Sequence, residues 1–313
     1  MNAVATTVAP IFGLIALGFL AARYRWLSQH AGNGLAEFTF LIAMPVLLFR
    51  TIVQSNMGDA LPTLVLSAYF ATVAVIWLLA TLVSLLLLKR PAAEGAVFAM
   101  TASYGNIVLL GIPIALAAYG ERAAPTAAIV VSTHVATLWL AACLHLALAE
   151  RKQTASPMTL ARSVLIEFAK NPIVVAIVVA AAWRATGLGL HLTVDRGMQL
   201  IAQSSVPCAL FAVGFTLAGF RIAGEGRALA ASCGLKNLVL PVLAWILTFH
   251  VFGLPPLPAT VVTLFAAMPT GTATFLFASQ NGIAVETTSA SVALSTAVSM
   301  ITLPVVLLLL GQP

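Results

Sequence analysis

Ten apolar runs, each long enough to cross a bilayer, fill almost all of this 313-residue chain, so lipid is the solvent for most of its surface. Crossing roughly 30 Å of hydrocarbon takes about 20 residues of helix. The runs cover residues 4–22, 35–53, 61–88, 96–118, 123–149, 166–183, 198–220, 228–252, 257–279 and 284–310. With 61% of residues hydrophobic and 8% charged, a soluble domain of this size would lack the charge to cover its surface. The longest polar stretch, 150–170, is too short to bury a core of its own, so no soluble catalytic domain is expected and the chain is not read as an enzyme.

Residues 1–8 carry no Lys or Arg, and the first run is expected to be retained rather than cleaved as a leader. Cys143, Cys208 and Cys233 lie within runs at spacings that match no metal or redox motif, and they are read as small packing residues. No metal or other cofactor is expected. The net charge of +6 comes from short loops and forms no basic stripe interleaved with aromatics, which argues against a nucleic-acid partner. Topology accounts for it instead. Loops after odd-numbered runs hold Arg23, Arg25, Lys89, Arg90, Arg151, Lys152, Arg162, Lys170, Arg221 and Arg227, against Arg50, Arg122, Arg184 and Arg196 after even-numbered runs. The positive-inside rule then predicts odd loops in the cytoplasm, both termini on the opposite side, and a multi-pass protein of a bacterial inner membrane or equivalent cell membrane.

Adding 162 to a position in the first half recovers its counterpart in the second: Pro10 maps to Pro172, Pro45 to Pro207 and Gly120 to Gly282, with Ser132-Thr133 one residue out of step with Ser295-Thr296. Each half holds five runs, an odd number, so the halves must enter the membrane from opposite sides. The expected fold is therefore an all-α integral membrane protein of ten transmembrane helices in two inverted five-helix repeats, residues 1–153 and 154–313. Inverted repeats of this kind belong to secondary transporters that expose one central site to each side in turn.

Such sites form where membrane helices break. The fourth run contains Tyr104-Gly105-Asn106 and, further on, Gly111 and Pro113; the ninth contains Met268-Pro269-Thr270-Gly271-Thr272. These interruptions fall at equivalent places in the two halves and are predicted to cross, with Tyr104, Gly105, Asn106, Pro269, Thr270, Gly271 and Thr272 as the substrate-binding residues. Helix N-termini carry about half a unit of positive charge, so a site lined by two of them favours an anion such as a carboxylate. His134 follows the repeated Ser-Thr pair and is the better placed of His134 and His145 for a proton relay. Gln203, Ser204 and Ser205, just before Pro207, are a second polar cluster that could face the site. Lys236, Glu37, Arg50 and Glu286 are read as side chains near run ends that snorkel to the interface.

Several short motifs recur in order along the chain: Ala9-Pro10-Ile11-Phe12 with Leu17-Gly18-Phe19, Pro45, Tyr104-Gly105-Asn106 leading to Gly111-Ile112-Pro113, Lys170-Asn171-Pro172, Leu235-Lys236 with Pro241, and Met268-Pro269. In these the sequence resembles the auxin efflux carrier family, whose bacterial members include carriers of malonate and other small carboxylates. The resemblance implies a scaffold of runs one, two, six and seven, a transport domain of runs three to five and eight to ten, a crossing of broken helices four and nine, and a homodimer made through the scaffold. Plant auxin carriers have Asn-Pro-Asn at both crossings, whereas this chain has Gly105-Asn106-Ile107 and Met268-Pro269-Thr270. That departure favours a small organic anion over auxin as substrate.

Three other readings compete. A sodium-coupled carrier of the bile-acid symporter type would need the oxygens of Asn106, Thr270, Thr272 and Gln280, but no acidic residue stands beside them. An intramembrane hydrolase built on Ser132 or Ser295 with His134 fails on geometry for the first, since residues two apart on a helix point about 200° away from each other. A non-transporting membrane sensor would have no need of two helix breaks.

Overall fold

The computed structural model describes residues 2–54, 62–150, 166, 169, 171–219 and 226–311. Among these residues the regular structure is entirely helical, with no strand. The helices are α1 (Asn2–Arg23), α2 (Gln29–Gln54), α3 (Pro62–Leu87), α4 (Ala92–Ser103), α5 (107–119), α6 (Ala124–Ala149), α7 (Pro172–Ala185), α8 (Leu192–Leu217), α9 (Gly226–Val251), α10 (Pro256–Ala266), α11 (Ala273–Asn281) and α12 (Val285–Leu310). Six helical stretches among the described residues are long and apolar enough to cross a membrane: α2, α3, α8, α9, α12 and the bent stretch Ile107–Ala149 that contains α5 and α6.

Burial is arranged as a bilayer requires. Large apolar side chains such as Leu78, Leu86, Ile301 and Leu309 stand outward and exposed, while Thr72, Thr101, His134, Lys236, Asn237 and Ser295 are buried. Hydrocarbon solvates the first group, and the polar groups must find partners inside the protein. The chain is thus a multi-pass integral membrane protein.

The apolar runs and the helices correspond closely, the breaks expected in the fourth and ninth runs are present, and the helix of run 35–53 begins earlier, at Gln29. Runs 96–118 and 257–279 are each two helices separated by a non-helical break, α4 with α5 and α10 with α11. Run 198–220 begins earlier, at Leu192, because His191 Nδ1 caps the helix by accepting from Thr193 N–H and Asp195 occupies its first turn. Helix α7 starts at Pro172, with the Asn171 side chain accepting from the N–H groups of Ile173 and Val174; most of residues 150–170, with Arg151, Lys152, Arg162 and Lys170, lie outside the described residues, as does Arg221.

Three of the prolines inside membrane helices share one device, whereas Pro10, Pro207 and Pro304 sit in uninterrupted α-helix. Pro45, Pro113 and Pro241 each stand two residues beyond a π turn, at Thr39–Ala43, Ile107–Gly111 and Leu235–Val239. A proline ring clashes with the carbonyl four residues back and lacks the N–H that would bond it. The wider turn contains that carbonyl in each case and opens the room the ring needs.

Helices α1 and α8 touch backbone to backbone. A Cβ on Gly18 would lie 2.0 Å from the Phe211 carbonyl oxygen, and one on Gly214 would lie 1.9 Å from that of Ile15. Small residues at a membrane-helix crossing permit this approach, and dispersion and Cα–H contacts then replace side-chain interdigitation. Helix α7 packs against α2 alongside this pair.

Candidate functional site: two helix breaks that meet

Gly105, in the first break, and Thr270, in the second, form an isolated antiparallel bridge. Asn106 N–H donates to the Pro269 carbonyl at 2.8 Å, and Gly271 N–H donates to the Tyr104 carbonyl at 3.0 Å. Each break therefore satisfies backbone groups of the other, which would otherwise cost several kcal/mol apiece in a membrane interior. Glycine is required for so close a meeting: a Cβ on Gly271 would fall 2.8 Å from the Tyr104 ring, and one on Gly105 would fall 3.2 Å from the Phe265 carbonyl oxygen.

Side chains from neighbouring helices buttress each break. Behind the first, Tyr69 on α3 shares a 2.6 Å hydrogen bond with His134 Nδ1 on α6, and the His134 ring lies 4.4 Å from that of Tyr104. Behind the second, Thr270 N–H donates to Ser295 Oγ on α12, and Ser295 Oγ donates to Asn237 Oδ1 on α9 at 2.7 Å. Asn237 Nδ2 returns a bond to the Ser295 carbonyl at 2.9 Å, and the Thr270 hydroxyl donates to the carbonyl of Thr101.

Beside the crossing lies a cavity of about 410 Å³ lined by Phe40, Tyr104–Leu109, His134, Val135, Asn171, Gly271–Ala273 and Leu276. Ile107, Val108 and Leu109 are the first turn of α5, and Ala273 and Leu276 belong to the first turn of α11. Two helix N-termini, with their unpaired N–H groups and partial positive charge, thus bound one chamber. His134 is fully buried. Asn106 is half-buried and Thr272 is exposed to the cavity.

Of the residues singled out in the sequence, Tyr104, Gly105, Asn106, Gly271, Thr272 and His134 line this chamber, while Pro269 and Thr270 are buried directly behind it and hold its wall. Gln203, Ser204 and Ser205 lie on α8 and are not in its lining: Gln203 is exposed, Ser204 donates to the Ile201 carbonyl, and Ser205 is buried. His145 accepts from Trp77 Nε1. Among the oxygens of the sodium reading, the Thr270 hydroxyl is committed to Thr101 and Gln280 is exposed near the end of α11. No group of three or more His, Cys, Asp or Glu side chains that could hold a metal occurs among the described residues. The Ser295 hydroxyl is engaged by Asn237 and Thr270, and the Ser132 hydroxyl by the Ile129 carbonyl, so neither is directed at His134.

One expectation is corrected. Lys236 does not snorkel: it is fully buried, and Nζ donates to the Ala266 carbonyl at the C-terminus of α10 at 3.0 Å. Arg50, near the end of α2, is paired: its Nε binds Asp195 Oδ1 of α8 at 2.7 Å, an oxygen also held by Gln54. Asn171 is a cavity residue that the sequence singled out only within the Lys170-Asn171-Pro172 motif; an Asn before Pro is a helix-cap signal, and its place in the lining depends on tertiary packing.

Residues 3–307 match the family described as "Membrane transport protein". A protein of Rhizobium meliloti (strain 1021) named "Putative malonate transporter" is 28% identical over 299 residues, covering 94% of this chain and 92% of that one. "Uncharacterized transporter YfdV" of Escherichia coli (strain K12) is 25% identical over 304 residues, covering 94% of each. Family and relatives alike indicate a transporter rather than an enzyme. With two helix breaks crossing inside a lipid-facing bundle and a family match over nearly its whole length, the chain is a member of the membrane transport protein family, the auxin efflux carriers.

Proposed function

We propose that this protein is a secondary transporter that moves a small organic anion, malonate or a similar carboxylate, by alternating access of the chamber at the crossing. The observation that carries this reading is the pair of first helical turns, of α5 and α11, bounding one cavity with the buried His134. Partial charges of one sign converge there with no fixed carboxylate in the lining. Asn106 and Thr272 offer side-chain hydrogen bonds, and Tyr104, Gly105, Pro269, Thr270 and Gly271 give the chamber its wall. The name of the R. meliloti relative agrees with a malonate-like substrate.

In this reading α4 with α5, and α10 with α11, each make one broken crossing, giving ten crossings in two inverted repeats, 1–153 and 154–313. Several features support the repeat. Gly120 and Gly282, 162 residues apart, end α5 and α11 at φ of 70° and 66°. Arg25 and Gly187, at the same separation, have φ of 57° and 71°. Helices α3 and α9 both finish in π turns, Val83–Leu87 and Ile246–Val251. The packing of α1 on α8 corresponds, under the same exchange of halves, to that of α7 on α2. Helices α1, α2, α7 and α8 would form the scaffold and the homodimer contact, the remainder the moving part, and odd loops would face the cytoplasm of a bacterial inner membrane.

Uptake of labelled malonate and related carboxylates into proteoliposomes tests the reading. The wild type is expected to accumulate a carboxylate in competition with other anions and not with neutral amides. Asn106→Ala should lose about ten- to a hundredfold in transport, the range for a hydrogen bond to a charged group. Failure of every carboxylate to be carried or to compete would overturn it.

A further inference from the structure

We propose that Lys236 is the ionisable group that links anion binding at the crossing to the binding of one proton, so that anion and proton travel together. This rests on the anion reading above and names the coupling ion for that site. Lys236 is among the largest fully buried side chains of the protein. Its one described hydrogen bond is to the Ala266 carbonyl, where the C-terminal end of α10 offers partial negative charge, and no carboxylate among the described residues lies within ion-pair distance of it. A carbonyl dipole is a poor substitute for a counter-ion, and an unpaired buried charge is strongly disfavoured.

The missing negative charge has an obvious source. Nζ lies 3.3 Å from the point where a Cβ of Gly105 would be, and Gly105 lines the cavity. The amine thus lies against a residue of the chamber wall that has no side chain to interpose. An anion in the chamber favours the charged amine, and the charged amine favours the anion to the same degree, because coupling between two binding events is reciprocal. With the chamber empty, the neutral amine still accepts or donates hydrogen bonds and leaves no unpaired charge. The proton comes from water on the loading side, resides on Nζ, and leaves with the anion on the other side. One positive charge thereby accompanies each anion.

Other titratable groups near Lys236 do not provide this balance. His134 on α6 and Tyr69 on α3 are paired with each other, and Tyr104 lies in the break against His134. Cys233 precedes Lys236 by one turn on α9. Glu94, at the start of α4, pairs with Arg90 at 3.4 Å, and Glu286 stands in the first turn of α12. Helix α10 carries no titratable side chain.

Equilibrium binding of labelled malonate to the purified transporter in nanodiscs, between about pH 7 and 9 where a small dicarboxylate is fully ionised, reads the linkage. Wild-type affinity should fall as pH rises, by up to tenfold per unit. Binding in weakly buffered solution should take up about one proton per anion. Lys236→Gln should bind weakly with a flat profile, Lys236→Arg should also be flat because guanidinium stays charged, and His134→Gln, which alters the chamber lining, should change the affinity while the slope with pH remains. A slope retained in Lys236→Gln, or no proton uptake by wild type, overturns the assignment while leaving the anion reading in place. If wild type binds no carboxylate at any pH, the anion reading fails and this inference fails with it. Should Lys236→Gln not fold, Lys236→Arg still decides, because a proton taken up per anion in that variant overturns the assignment.

Discussion

The N–H of Asn106 donates to the carbonyl of Pro269 at 2.8 Å, so the interruption in one membrane helix is completed by the interruption in another. Neither break would be tolerable alone in hydrocarbon. Together they make polar backbone available at the centre of the bundle, and the side chains that support them are accessible to substitution.

Ser295 stands between the Thr270 N–H and the Asn237 side chain, one bond to each. Ser295→Ala leaves a buried donor and a buried acceptor without partners, each worth about 1–3 kcal/mol. We expect a lower thermal midpoint and at least a tenfold loss of carboxylate uptake, with Ser295→Thr recovering much of both. Unchanged stability in Ser295→Ala would mean that water fills the gap.

Glycine to alanine changes should have opposite signs on one helix. Gly13 of α1 has open space around its would-be Cβ, and alanine there should be neutral or stabilising by up to about 1 kcal/mol. Gly18→Ala, or Gly214→Ala on the facing helix, must push α1 from α8, since the added carbon meets a carbonyl oxygen at 2.0 or 1.9 Å. Thermal unfolding followed by detergent-resistant fluorescence chromatography measures both, and similar midpoints for the Gly13 and Gly214 variants would contradict the close packing.

Gly271→Ala drives a methyl to within 2.8 Å of Tyr104, whose ring lies 4.4 Å from that of His134. Overpacking of this kind costs about 1–3 kcal/mol. Because the displaced ring lines the chamber, transport should fall by more than tenfold even in protein that still folds, with the loss read in uptake and the fold in a thermal melt.

Arg50 joins three parts of the chain: Asp195 of α8 at 2.7 Å, and Glu121, in the turn after α5, at 3.6 Å. The Arg50→Ala, Asp195→Ala double-mutant cycle should return a coupling of about 0.5–3 kcal/mol in unfolding free energy, the range for residues that share one ion-pair network. Additive single effects would reduce the pair to a surface contact.

The charge bias of the loops predicts opposite labelling of two introduced cysteines. Ser28→Cys, between α1 and α2, should react with an impermeant maleimide only after the cell membrane is opened. Arg122→Cys, exposed in the turn after α5, should react in intact cells. The reverse pattern would invert the orientation of the termini.

What could be read in advance follows the range over which each signal acts. The breaks were visible because Gly105, Asn106, Pro113 and Pro269 act on their own backbone within a turn or two, whatever lies around them. Helix ends such as Ala149 and Leu310 were visible because the bilayer imposes length. Lys236 was misjudged because its partner is a backbone carbonyl thirty residues away, which has no side-chain signature. The Arg50 to Asp195 pair spans 145 residues and obeys no local spacing. Asn171 stood out only as part of a motif and not as a lining residue, since α7 acquires its neighbours only by folding.

The interlock of α1 and α8 at Gly18 and Gly214 also limits how this bundle can rearrange. A helical residue advances about 1.5 Å along the axis, so sliding one helix past the other by a single position would bring a side chain onto a carbonyl now covered only by hydrogen. The two helices behave as a key in its keyway, free neither to slip nor to turn. Any motion that changes access to the chamber has to be taken up elsewhere, with this pair as the fixed frame against which it is measured.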